Sequence, residues 1–256
     1  MNWYTIAEDE NDLYQEALEH PRVATVLQAH GNRLDPMQAL GGATVRVEYP
    51  GMLATDSITV SWSGVAGAGS PALTSKQGDP GGRVLFDIPA TAVGANLGRT
   101  VVVTYTVTRT IEVLQSEVLN LNIATLPDSQ IADKIAVEKE SNGTLDVTRA
   151  PNGVNLDIRT WPFVAVGQKV WLRLEGQKAD GSPHTLTIWA AATVNIYEVT
   201  QGYLLKVAPA TYLSQLVDGC MLTVTFKVAF SGSDEAQALA YPLKTLQILN
   251  SANPPG

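Results

Sequence analysis

Alternation with a period of two dominates this chain from about residue 43 onward. Val45, Val47 and Tyr49 fall on one face, with Arg46 and Glu48 on the other. Ile58, Val60 and Trp62 alternate with Thr59, Ser61 and Ser63. Val101, Val103, Tyr105 and Val107 alternate with Val102, Thr104, Thr106 and Thr108, and Val118, Leu121 and Ile123 complete that set less regularly. Further on, Val170, Leu172 and Leu174 alternate with Trp171 and Arg173, and Leu222, Val224, Phe226 and Val228 with Thr223, Thr225 and Lys227. Side chains on a strand point to opposite faces in turn, so each run predicts a strand with one face on a core. Gly and Pro punctuate the gaps at Gly64–Pro71, Lys76–Arg83 and Lys178–Pro183. Short strands separated by such turns predict a sandwich or small barrel. Short helical turns are expected at Ala92–Leu97 and Ala210–Leu216.

The pattern occurs twice, at a spacing of roughly 110–125 residues. VATVLQAHGNRLD (Val23–Asp35) is matched by IAVEKESNGTLD (Ile135–Asp146). An aromatic-proline pair follows, Tyr49-Pro50 and then Trp161-Pro162. DSITVSWSG corresponds to GQKVWLRLEG, and Pro-Ala-Thr occurs at Pro89 and again at Pro209. RTVVVTYTVTR and CMLTVTFKVAF align Tyr105-Thr106-Val107 with Phe226-Lys227-Val228. The expected organisation is an acidic N-terminal helical segment over 1–20, sandwiches over 21–127 and 128–250, and a linker-like tail over 251–256. Each sandwich would hold about seven strands, the immunoglobulin-like number. Trp62, Tyr105 and Phe226 are the expected core aromatics.

The N-terminal segment reads differently. Thr5 and Glu8 have capping-box spacing, Leu13, Tyr14, Ala17 and Leu18 form a stripe, and Pro21 ends it. A short amphipathic helix is expected over residues 8–19, either packing on the first sandwich or docking on a partner.

Charge sharpens this division. The net charge is −8, yet the first twenty residues hold six acids and no Lys or Arg. The remaining 19 acids and 17 bases leave the body nearly neutral. No basic surface for phosphate is expected, so nucleic acid is not an expected partner. One cysteine, Cys220, excludes an intramolecular disulfide. No apolar run approaches the ~20 residues of a membrane-spanning helix. No secretory signal pattern is visible at the N-terminus.

Few residues suggest chemistry. The three histidines, His20, His30 and His184, lack metal-ligand spacing, and no looped carboxylate series for calcium occurs. Calcium between the sandwiches through Asp128 or Asp133 is the one metal alternative. Neither a nucleophile elbow nor a phosphate loop is present, so no catalytic site, cofactor or metal is expected. Cys220 reads as a small buried hydrophobe. Trp171 and Trp189 are the candidate ligand-contact aromatics, because an exposed ring on a sandwich can stack on a sugar or peptide.

Together, LDP…GGATVRVEYPGMLATDSITVSWSG…IPATAVGANLGRTVVVTYTVTR…SEVLNLNI resembles the bacterial immunoglobulin-like repeats of large surface or secreted proteins. RTWPFVAVGQKVWLRLEG with LTVTFKVAFSGSDEAQALAYPLKTLQI is similar to a divergent companion repeat. The resemblance covers about residues 21–250. It implies an all-β chain of two tandem immunoglobulin-like sandwiches, an extracellular or cell-surface setting, and an adhesive or spacer role without turnover. The expected partner is a protein or glycan on a surface, and the expected state is a monomer. A secreted toxin or effector component engaging a receptor or membrane, and a carbohydrate-binding accessory module, are the alternatives.

Overall fold

A computed structural model describes residues 22–110 and 112–255. The helix expected over 8–19 and His20 lie outside the described residues. The chain divides into two compact units between Leu126 and Pro127.

In the first unit, a three-stranded sheet runs in the order Thr25–Val26, Ala43–Glu48, Arg83–Ile88. The facing sheet runs Ala29–His30, Arg33–Leu34, Leu119–Ile123, Thr100–Arg109, Ser57–Ser63, Lys76–Gln77, and Glu112–Gln115 also pairs with Thr100–Arg109. The second unit repeats this order strand for strand. Its smaller sheet is Ile135–Val137, Val154–Arg159, Tyr203–Ala208. Its larger sheet is Glu140–Ser141, Thr144–Asp146, Lys244–Leu249, Met221–Ala229, Lys169–Gln177, Pro183–Thr193, with Leu239–Ala240 beside Met221–Ala229. Each larger sheet even contains one parallel pair at the same place, Arg33–Leu34 with Leu119–Ile123 and Thr144–Asp146 with Lys244–Leu249. The architecture is all-β, two sandwiches of one immunoglobulin-like topology.

Alternation explains the cores. Ile58, Val60 and Trp62 pair with Val107, Tyr105 and Val103, and all six are buried. Val170, Leu172 and Leu174 pair with Val228, Phe226 and Val224 in the same way. Tyr105 and Phe226 therefore hold equivalent positions, opposite Val60 and Leu172. β-branched residues dominate because they fit a pleated, half-buried surface.

The equivalence extends to backbone detail. Gly42 and Gly153 adopt φ of +111° and +85°. A Cβ on either would fall on a backbone carbonyl, that of Ile88 in one unit and Ala208 in the other. Both carbonyls end the edge strand of the smaller sheet, so close backbone approach there requires glycine.

Some details differ from the sequence reading. Leu119, not Val118, joins Leu121 and Ile123 in the core, and Val118 is exposed. The paired strand begins at Leu119, so the alternation counts from there. The helix at the first Pro-Ala-Thr motif starts two residues earlier than expected, Ala90–Ala95, and the one at the second is shorter, Ala210–Leu213. A further helix, Ile196–Gln201, starts with a capping box in which Asn195 and Glu198 exchange hydrogen bonds. The tail is not free of the second unit: Asn253 donates through Nδ2 to the carbonyls of Gln215 and Leu216. Cys220 is half-buried and precedes its strand.

Candidate interaction surface

Several polar groups inside each sandwich are held in hydrogen-bonded brackets, while the buried Trp62 indole N–H and the Tyr105 and Tyr241 hydroxyls have no hydrogen-bond partner among the described residues. Asp56, with no exposed surface, accepts from the Tyr49 hydroxyl at 2.8 Å and the Leu53 amide at 2.9 Å. Arg109 adds two donors, Nε at 2.7 Å and a terminal nitrogen at 2.8 Å. Three of these donors converge on Oδ2 and one reaches Oδ1, so both carboxylate oxygens are engaged. Burial alone would raise the Asp56 pKa, but the hydrogen bonds from Arg109, Leu53 and Tyr49 outweigh it and hold the carboxyl below its usual value. Burial and the hydrogen bond to Asp56 push the Tyr49 hydroxyl well above the usual tyrosine range.

The second unit uses a neutral version of the same bracket. The Trp161 indole donates to Gln168 Oε1 at 3.0 Å, and Gln168 Nε2 donates to the Phe163 carbonyl at 2.8 Å. A second buried bracket in the first unit is Asn96, which accepts from the Val65 amide and donates to the carbonyls of Gly69 and Ala92. Neither bracket leaves an acid, base or nucleophile free to meet a substrate.

The histidines are likewise dispersed. His30 is exposed on a two-residue strand. His184 stacks on Tyr212, ring centroids 4.4 Å apart, while the Tyr212 hydroxyl donates to the His184 carbonyl. Among the described residues, no three His, Cys, Asp or Glu side chains converge as metal ligands.

The structure brings the two candidate aromatics inside. Trp171 and Trp189 are each 8% exposed, so neither presents a free ring face. Trp189 pairs with Leu172 on the inner face, lies edge-on to Phe226, and has Lys206 Nζ 5.7 Å from its ring. Trp171 is on the opposite face. The strand pairing jumps from Val170–Ala192 to Leu172–Trp189, so Ala190 and Ala191 stand against the single position of Trp171. The bulge has Ala191 at φ +55°, while Trp171 keeps the face its own alternation gave it, paired with Lys227, and is nevertheless buried there. Trp62, Tyr105 and Phe226 are all buried.

What remains outside differs between the units. On the first unit's smaller sheet, the outward residues of the edge strand are Arg83, Leu85 and Asp87. The equivalent residues of the second unit are Tyr203, Leu205 and Val207, all exposed. Ile196 and Tyr197 are exposed on the helix just before that strand. The first unit instead offers a polar cleft of about 450 Å³ bounded by Arg22, Arg46, Glu48 and Tyr49. Sequence reading missed the apolar column because Tyr203–Ala208 carries three consecutive apolar or aromatic residues before Lys206, which hides its alternation.

No known family description matches the chain, and no curated protein matches it. Among solved structures, it is similar to a 1.5-MDa bacterial ice-binding adhesin, with 13% identity and a TM-score of 0.29. That match covers 91% of this chain and 67% of the other. It is similar to a Ca2+-stabilized adhesin of an Antarctic bacterium, with 13% identity, a TM-score of 0.30, and coverage of 89% and 49%. It is also similar to a tetra-tandem repeat from the extending region of a large adhesion protein, with 13% identity, a TM-score of 0.38, and coverage of 88% and 48%. The chain thus spans about half the length of the last two. No helix among the described residues is long and apolar enough to cross a membrane.

Proposed function

We propose that this chain is a non-catalytic extracellular or surface module of adhesin type, whose target is a protein surface. The observation that carries this reading is the contrast between the two units. Their topology and the bracket at one crossover repeat, while their outward strand changes from Arg83, Leu85 and Asp87 to Tyr203, Leu205 and Val207. A scaffold of constant topology with a varied outer strand suits recognition. An apolar column containing tyrosine favours protein over glycan, since neither Trp171 nor Trp189 has a ring free for sugar stacking. The sequence resemblance to bacterial immunoglobulin-like repeats supports the surface setting.

The test is immobilisation of the purified chain against panels of surface and matrix proteins, with a parallel panel of glycans. Saturable protein retention that Leu205→Glu weakens and Leu85→Glu leaves unchanged is expected. Retention of glycans alone, or turnover of a hydrolase substrate, would overturn the reading.

A further inference from the structure

The strand Pro183–Thr193 ends the larger sheet of the second unit and, among the described residues, pairs on one side only, with Lys169–Gln177. Its sequence, PHTLTIWAAAT, contains no Asp, Glu, Lys or Arg. The free edge of a strand offers unpaired N–H and C=O groups, and proteins ordinarily blunt it with charge, shortness or cover. The other edges of this chain follow that practice. The counterpart in the first unit is two residues long, Lys76–Gln77. Lys76 also reaches across the sandwich, donating to the Leu85 carbonyl at 2.7 Å and lying 5.2 Å from the Phe86 ring centroid. Arg83–Ile88 carries Arg83 and Asp87, and Tyr203–Ala208 carries Lys206 on its inner face, opposite Leu156.

Two features partly protect Pro183–Thr193. The Tyr212 hydroxyl takes the His184 carbonyl, and the bulge at Ala190–Ala191 distorts the far end. Thr185–Ile188 stays regular between them. Thr185 and Thr187 are exposed on the outer face, and Leu186 and Ile188 are half-buried at the rim.

We infer that this edge pairs antiparallel with the same strand of a second copy, about a two-fold axis through Leu186, which replaces the monomer expected from sequence with a dimer. Two observations select a second copy. The segment Thr185-Leu186-Thr187 reads alike in both directions, so a two-fold axis sets Leu186 against Leu186 and Thr185 against Thr187. Cross-strand threonine pairs are favourable contacts. The neighbouring strand supplies charge complementarity in that register. Glu175 stands beside Thr185 and Arg173 beside Thr187. Each cross-sheet row then reads Glu175, Thr185, Thr187, Arg173, opposite charges terminating it from the two copies. The charges lie about three strand spacings apart, roughly 14 Å, so they select register more than strength.

Sedimentation velocity of the full chain from micromolar to millimolar concentration tests this. A monomer–dimer equilibrium is expected. Thr185→Lys, which places a charge on the open edge against Thr187 of the other copy, weakens it by about tenfold or more. Thr185→Val, which keeps the β-branched shape and adds no charge, retains it, and Leu205→Lys on the other edge leaves it unchanged. Thr185 is exposed, so circular dichroism of these variants matches the parent. A chain that stays monomeric throughout, a dimer indifferent to Thr185→Lys, or one abolished by Leu205→Lys would overturn the inference.

Discussion

Tyr49 donates its hydroxyl to Asp56, seven residues on, at 2.8 Å, and this single contact ties the chain leaving one sheet to the strand entering the other. The second unit makes the same connection with Trp161 and Gln168, also seven residues apart. The ring of each donor rests against the core aromatic opposite, Tyr49 on Tyr105 at 6.5 Å and Trp161 on Phe226 at 5.5 Å. One crossover is thus secured twice, by a charged bracket and by a neutral one. Arg109 completes the charged version; Gln168 needs no cation, because it satisfies itself with the Phe163 carbonyl.

Acid should therefore loosen the first unit in a way that depends on Asp56. Its folded pKa lies below the unfolded value of about 3.9. The unfolded chain then binds the proton more readily, so the contribution of Asp56 is complete above that value and is lost as pH falls through the folded pKa. Urea unfolding between pH 2 and pH 7 should show this slope in the parent chain. Asp56→Asn should flatten it while lowering neutral-pH stability by about 3–5 kcal/mol.

Removing the cation should be worse than removing the phenol. Arg109→Ala leaves a buried carboxylate without its charged partner, a loss of about 3–5 kcal/mol. Tyr49→Phe removes one hydrogen bond to a charged acceptor, about 1.5–3 kcal/mol. Denaturant midpoints of the two variants give the order.

In the second unit, Gln168→Leu strands the Trp161 indole N–H and the Phe163 carbonyl. A cost of about 1–3 kcal/mol for each unsatisfied group is expected, with no added acid sensitivity. Thermal unfolding at pH 4 and pH 7 checks both parts.

Gly153→Ala should be far more damaging than Gly143→Ala. Both glycines have positive φ, but a Cβ at Gly143 meets open space while one at Gly153 meets the Ala208 carbonyl. The conformational penalty alone is about 1–2 kcal/mol, and Gly153→Ala adds a steric one. Melting temperatures of the pair measure the difference, and Gly42→Ala should behave like Gly153→Ala.

Trp189→Ala should destabilise the second unit by about 3–5 kcal/mol, as expected for a large buried ring, and should leave glycan retention unchanged. Calorimetry and glycan arrays read the two effects separately.

The alternating runs and the repeated motifs identified the central strands, most of their inward residues and the doubling of the unit from the sequence alone, but not the strands Arg83–Ile88, Pro183–Thr193 and Tyr203–Ala208. Side-chain period is a property of a strand's own backbone, so Ile58, Val60 and Trp62 declare their common face without knowledge of their partners. The pairing of Tyr105 with Phe226 as equivalents was legible for the same reason. Only the tertiary structure decided what Asp56 does, because Arg109 reaches it from 53 residues away. It also decided the burial of Trp171 and Trp189: the period gave Trp171 the correct face, opposite Val170 and Leu172, but not that this face is covered. Which strands end the sheets, and so which backbone edges stay open, belongs to topology: hydrogen bonds between distant segments make that choice, and no local pattern encodes it.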